Sequence, residues 1–193
     1  YIDISGLLSA DDFYYTDSHW RQERILKVAD EIADKMGAER IGQCEKHDTG
    51  VSFYGVYYGQ AALPHASERF FYLDNAVIRG LKVYNTETSS YIPVYDLGAA
   101  AGRDPYEMFL GGARSIIRIT NPNAAKERRL VVFRDSFGSS IAPLLAAGYS
   151  EITLVDIRYI SPSALGRLID FTKADDALFL YSASVINNSE TIK

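Results

Sequence analysis

Three short apolar runs, LVVF (130–133), ITLVD (152–156) and ALFLY (177–181), recur at roughly twenty-residue intervals, with helical stretches between them. The first intervening stretch, 141–147, is stopped by Gly148. The second, SPSALGRLIDFTK (161–173), opens with Ser161 in the N-cap position and Pro162 at the first helical residue, a pairing that starts helices. Unbroken apolar runs of this length suit strands buried on both faces. Parallel strands need a crossover of a dozen residues or more, which these intervals supply. The expected architecture is therefore α/β: a three-layer, mostly parallel open sheet with helices on both faces.

The rest of the chain adds smaller elements. Trp20, Ile25, Val28, Ala29, Ile32, Ala33 and Met36 fall at three- and four-residue spacings, which predicts an amphipathic helix over 20–36 closed by Gly37. VSFYGVYY (51–58) reads as a strand with Gly55 inside it, and 59–70 as a short helix or loop. Further strands are expected at LKVY (81–84) and YIPVY (91–95), the second held to an edge by Pro93. DPYEMFLGG (104–112) reads as a small helix or turn, and ARSIIRIT (113–120) as a strand. There is no internal repeat and no low-complexity tract.

At 193 residues and 47% hydrophobic composition, one domain covering 1–193 accounts for the chain. A formal net charge of −5 argues against nucleic acid or an anionic membrane surface as the main partner. Cys44 is the one cysteine, so neither an intramolecular disulfide nor a thiolate zinc cluster is available. The pairs Asp11-Asp12, Asp175-Asp176 and His47-Asp48 are not linked by a ligand spacing, and neither a metal nor a cofactor is expected. No apolar run reaches the roughly 18 to 20 residues of a membrane span. The chain opens at Tyr1 rather than a methionine and is read as a mature or trimmed segment of a longer protein.

RLVVFRDSFGSS (129–140) carries the candidate chemistry. Ligands in open α/β sheets collect beyond the carboxyl ends of strands, and Ser136 lies just past such an end. Small residues after it allow its hydroxyl to project while its N–H faces a developing oxyanion. The plainer alternative is a serine that caps the next helix. A base must come from His19, His47 or His65. His19 follows Asp17 by two residues at the expected start of the first helix, so Asp17 can orient it; alternatively Asp17 or Ser18 is only a cap. The chain has 14 tyrosines. Tyr54 and its neighbours Tyr57 and Tyr58 can offer a platform for sugar rings or simply pack into the sheet.

YYTDSHW near the start and VVFRDSFGSSIAPLLAAGYSEITLVDIRYI near the end, with FLGGARSIIRITNPN as a weaker third block, resemble the DHHW family, named for its Asp-His-His-Trp motif. That family is similar to the SGNH hydrolase-like domains of alginate O-acetylation proteins, and the fold expected is SGNH/flavodoxin-like. The resemblance implies a triad of Ser136, His19 and Asp17, with the Asp-x-His pair preceding the serine. Two positions depart from the pattern. Ser18 replaces the first histidine, and Arg134 stands where SGNH enzymes have glycine, which makes the approach to the serine bulkier and more cationic. By analogy with the glycine and asparagine blocks of SGNH enzymes, the oxyanion donors are the Ser136 N–H, Gly111 or Gly112, and the Asn121 amide; alternatively the two glycines only terminate a helix.

The implied function is acyl, specifically acetyl, transfer to or from a cell-envelope or secreted carbohydrate, as an O-acetyltransferase or acetylesterase. Its partners are a polysaccharide or other glycan and an acyl donor protein or small ester. The implied setting is extracytoplasmic, with a membrane tether outside this segment. A non-catalytic glycan-binding module on the same fold is the competing reading. A flavodoxin-like binder of phosphorylated ligands lacks a GxGxxG or GxxxxGK loop here.

Overall fold

The computed structural model describes residues 1–61, 66–188 and 190, so His65 lies outside the described residues. The helices are α1 (Leu26–Lys35), α2 (Val56–Ala61), α3 (Ala76–Gly80), α4 (Leu97–Ala100), α5 (Phe137–Ile141), α6 (Pro162–Leu168) and α7 (Ala183–Asn187). The strands are β1 (Glu45–Phe53), β2 (Glu68–Asp74), β3 (Lys82–Asn85), β4 (Ser90–Ile92), β5 (Ile116–Thr120), β6 (Arg129–Arg134), β7 (Glu151–Val155) and β8 (Asp176–Leu180). β1 and β2 form a separate antiparallel ribbon. The other six make one sheet in the order β4-β3-β5-β7-β6-β8.

This mixed sheet corrects the mostly parallel expectation. β6 pairs in parallel with β7 and β8, whereas β7–β5, β5–β3 and β3–β4 are antiparallel. The reason lies in connection length. Only residues 121–128 separate β5 from β6, too few for a parallel crossover, so β5 must run against β6. The apolar runs LVVF, ITLVD and ALFLY are the parallel part, and β4 is an edge strand ending just before Pro93.

Alternation along the strands divides the core. Ile117, Ile119, Leu130, Val132, Ile152 and Leu154 pack with Val28, Ala29 and Ile32 of α1, Ile78 of α3 and the 3-10 segment Ala142–Gly148. Ile116, Val131 and Val155 point the other way, onto Leu165 of α6 and Ile169. Among the described residues, no helix is long and apolar enough to cross a membrane.

Two expected elements change at their ends. The first helix starts at Leu26, after a 3-10 turn over Gln22–Arg24; Gly37, with φ 62°, follows its end. His19 and Trp20 lie upstream of it in a hairpin closed by the Phe13–Trp20 bridge, so His19 is not at a helix N-terminus. The strand expected over 51–58 ends at Phe53, and Val56 begins α2. A Cβ on Gly55 would lie 2.2 Å from the Thr16 carbonyl oxygen. This close approach turns the chain there, against the β propensity of Val56-Tyr57-Tyr58.

Candidate active site

β6 delivers Asp135 and Ser136 to the carboxyl ends of the parallel strands. Asp135 is buried, and its carboxylate fastens the turn: one oxygen accepts from the Phe137 N–H at 3.0 Å, the other from the Ser182 N–H beyond β8 at 2.7 Å. Ser136 occupies the N-cap position of α5, yet its side chain makes no capping bond. Its hydroxyl is instead 2.6 Å from His19 Nε2.

His19 is held from the other side by Asp17, whose Oδ1 is 2.6 Å from Nδ1. Ionised Asp17 can only accept, so His19 donates to it from Nδ1 and, as a neutral imidazole, accepts the Ser136 O–H at Nε2. Burial acts to raise the Asp17 pKa, but the His19 hydrogen bond and charge, with the N–H groups of His19 and Val56, outweigh it and leave the carboxyl below its ordinary value. The Val56 N–H donates to Asp17 Oδ2 at 3.1 Å. Gly55 and Tyr57 clasp the same turn, donating to Thr16 Oγ1 at 2.8 Å and to the Thr16 carbonyl at 3.0 Å.

The imidazole plane is set by aromatic walls. The Tyr106 ring stacks on it at 4.0 Å between centroids, and Phe137 lies 5.1 Å away. Tyr106 donates its hydroxyl to Ser140 Oγ at 2.6 Å, and Trp20 Nε1–H donates to the same oxygen at 2.8 Å. Ser140 thus joins α5, which follows the serine, to the hairpin that carries the histidine. Sequence reasoning missed Tyr106, Ser140 and Asp135, because their contacts run between segments far apart in the chain. Tyr106→Phe keeps the stack and loses one buried hydrogen bond; it is expected to cost about 1 kcal/mol in urea unfolding. An unchanged urea midpoint would show that Ser140 is satisfied without Tyr106.

Three expected site residues lie elsewhere. Asn121 follows β5 at the opposite end of the sheet, beside the start of β7, where its amide donates to the Ala146 carbonyl and its oxygen accepts from the Asn123 N–H. Gly112 gives its N–H to the Phe109 carbonyl at 3.0 Å. Gly111 faces Ile92, in the row of Val83, Ile119 and Ile152 nearer the amino end of β7. Both glycines have positive φ and serve a turn. Tyr54 is exposed and lies with Asp17, Tyr58, Arg103 and Asp104 around a cleft of about 430 Å³. Among the described residues, no group of three or more His, Cys, Asp or Glu is placed to hold a metal ion.

Arg134 is also corrected. It is fully buried beneath the turn rather than presented to a ligand, because the strand alternation points it inward. Its Nη1 donates to the Asp135 carbonyl at 3.3 Å and Ser139 Oγ at 3.1 Å, with Asp156 at 3.8 Å. Nε and Nη2 have no partner among the described residues. Burial pulls its pKa down, against the attraction of Asp156. Asp156 is already paired with Arg158 at 2.6 Å. Arg134→Met is therefore expected to leave stability within about 1 kcal/mol or raise it, because two buried orphan donors leave and no charge is stranded. A loss above about 3 kcal/mol in chemical denaturation would contradict this.

A family model described as DHHW protein matches residues 9–155. The chain belongs to the DHHW family. None of the curated proteins compared with it matches. The fold of this DHHW chain is similar to that of a DHHW family protein from Eubacterium siraeum DSM 15702, with a TM-score of 0.71 at 20% identity, over 94% of this chain and 63% of that one. It is also similar to Bacillus cereus PatB1 solved with a sulfonyl adduct, with a TM-score of 0.70 at 20% identity, over 91% of this chain and 62% of that one. A second PatB1 structure gives a TM-score of 0.66 at 18% identity, over 91% and 64%. The DHHW chain spans less than two thirds of the length of these structures. Its motif reads Asp17-Ser18-His19-Trp20, and the departing position, Ser18, is solvent-exposed.

Proposed function

We propose that this DHHW chain transfers an acyl group through Ser136. The observation that carries the reading is the line from Asp17 through His19 to Ser136, with both hydrogen bonds at 2.6 Å and the serine hydroxyl not spent on a helix cap. His19 Nε2 takes the Ser136 proton as Oγ attacks an ester carbonyl carbon, and Asp17 stabilises the imidazolium. The tetrahedral oxyanion is met by the Ser136 N–H, which has no acceptor among the described residues. Collapse expels the alkoxide, which takes the proton back from His19. An acceptor hydroxyl then gives its proton to His19 and attacks the acyl-serine, releasing Ser136.

The acceptor we assign is a hydroxyl of a cell-envelope or secreted carbohydrate, with water as the acceptor in an esterase. Tyr54 and Tyr58 are exposed, and with Arg103 and Asp104 near Asp17 they offer apolar faces and polar rims of the kind sugars use. We infer this substrate class and an extracytoplasmic setting from the resemblance of the sequence motifs to the DHHW family and, through it, to SGNH-like alginate O-acetylation domains. A neighbour of the same fold carries a sulfonyl adduct, the product expected when an activated nucleophile meets a sulfonyl halide. The test is intact mass after treatment with a sulfonyl fluoride and, separately, 4-nitrophenyl acetate. One adduct of each kind is expected on the wild type and none on Ser136→Ala. Folded, unlabelled protein that still binds glycans would sink the transfer reading and leave a binding module.

A further inference from the structure

Two clefts of opposite character are lined by a member of the Asp17–His19–Ser136 line or by its chain neighbours. The cleft on the Asp17 side is the tyrosine-lined one, which includes Arg103 and Asp104. The other, of about 360 Å³, begins at Ser18 and Phe137, the neighbours of His19 and Ser136, and continues to Ser182, whose N–H is bonded to Asp135. Its walls are Ile4, Leu8, Phe13, Trp20, Phe137 and Leu180, completed by Tyr181 and small residues of the α7 end, with no charged side chain. The volume lies within the range of small-molecule sites, about 300 to 1,000 Å³.

We propose that this second cleft is an acyl-chain subsite, which takes a medium-length hydrocarbon acyl group rather than acetyl alone. The proposal rests on the acyl-transfer reading above. An ester carbonyl held at Ser136 has two substituents, and the two clefts differ in what they can solvate. A sugar in the apolar cleft would leave its hydroxyls without partners, whereas a hydrocarbon chain gains from every methylene it removes from water. Phe137 forms one wall of the cleft and lies 5.1 Å from the His19 ring and 5.1 Å from Trp20, so one apolar side chain borders both the cleft and the base. The acyl chain therefore lies along Phe13, Phe137 and Leu180, and the leaving group or acceptor occupies the side of Tyr54 and Arg103.

The experiment compares kcat/KM for 4-nitrophenyl acetate, butyrate, hexanoate and octanoate on wild type, Ser136→Ala, Ala183→Phe and Ser184→Phe. Ala183 and Ser184 are exposed lining positions, so either substitution narrows the cleft from its rim. A rise of about fourfold per methylene is expected until the chain fills the space. Either rim substitution is expected to lower the octanoate-to-acetate ratio at least tenfold. Trp20 is the chain's one tryptophan and stands in the cleft wall. Its fluorescence in Ser136→Ala is expected to respond saturably to octanoate and not to acetate. Ser136-dependent turnover that favours acetate throughout, with the same ratio in the rim variants, overturns the subsite alone. A Trp20 signal indifferent to octanoate overturns it as well, as when another segment of a longer protein fills the cleft. Absence of Ser136-dependent turnover with every ester overturns the acyl-transfer reading and the subsite with it.

Discussion

Ser136→Ala and His19→Ala are each expected to lower kcat/KM for 4-nitrophenyl acetate by about 10⁴- to 10⁶-fold, and the double variant by no more than the single ones. The non-additivity follows from the geometry, because the serine hydroxyl has one base within reach and that base serves one nucleophile. Asp17→Asn should cost about 10⁴-fold, since an amide can donate to Nδ1 and hold the imidazole in the wrong tautomer. Losses under tenfold would mean that the hydrogen-bonded line is a structural motif and that the chemistry lies elsewhere. The same carboxylate links stability to pH. Its folded pKa lies below the unfolded value of about 3.9, so its contribution is fully present above that value and is lost as pH falls through the lower folded one. Urea midpoints between neutral pH and pH about 2 should fall more steeply for wild type than for Asp17→Asn; parallel curves would contradict the assignment.

The second large effect is expected from a residue with no side chain. A Cβ on Gly55 would stand 2.2 Å from the Thr16 carbonyl oxygen and 2.4 Å from Asp17 Cβ. Neither neighbour can yield easily: Thr16 is tied to Gly55 and Tyr57, and Asp17 to His19 and Val56. Gly55→Ala should cost about 3 kcal/mol or more. It should also lower kcat/KM about 100-fold, because the turn it displaces carries the carboxylate that aims the base. A methyl group on Gly59, in α2, would meet nothing within 4 Å, and Gly59→Ala should stabilise by about 0.5 to 1 kcal/mol. Equal effects at the two glycines, in thermal melts and in rate, would show that close approach at Gly55 is not the constraint.

The parallel strands β6 and β7 were legible because burial on both faces writes them as unbroken apolar runs; β8 has the same apolar run although it is an edge strand with Ala177 and Phe179 exposed. The antiparallel half was less so: β3, β4 and β5 are equally short, and their direction is encoded only in the lengths of the connections. The 121–128 link was a readable sign that β5 opposes β6. Asp17, His19 and Ser136 were joined by the resemblance of YYTDSHW and VVFRDSFGSS to the DHHW family; taken alone, these residues read equally as helix caps and a surface histidine. Asn121, Gly111, Gly112 and Arg134 did not fall where expected, since residue type alone does not say at which end of a sheet, or on which side of a strand, a side chain emerges. Tyr106 and Ser140 carry no local signal, for each is defined by a partner in another segment.

His19 and Ser136 are 117 residues apart, and the histidine sits in a hairpin that belongs to neither sheet. The proposed base is therefore synthesised long before the proposed nucleophile. A contact of such sequence separation forms late, after the intervening chain has closed its loop. Until then Ser136 is an ordinary, weakly nucleophilic alcohol that a nascent or stretched chain does not activate towards an acyl donor. In the proposed mechanism reactivity is switched on by completion of the fold, and displacing the hairpin that carries His19 would silence the serine.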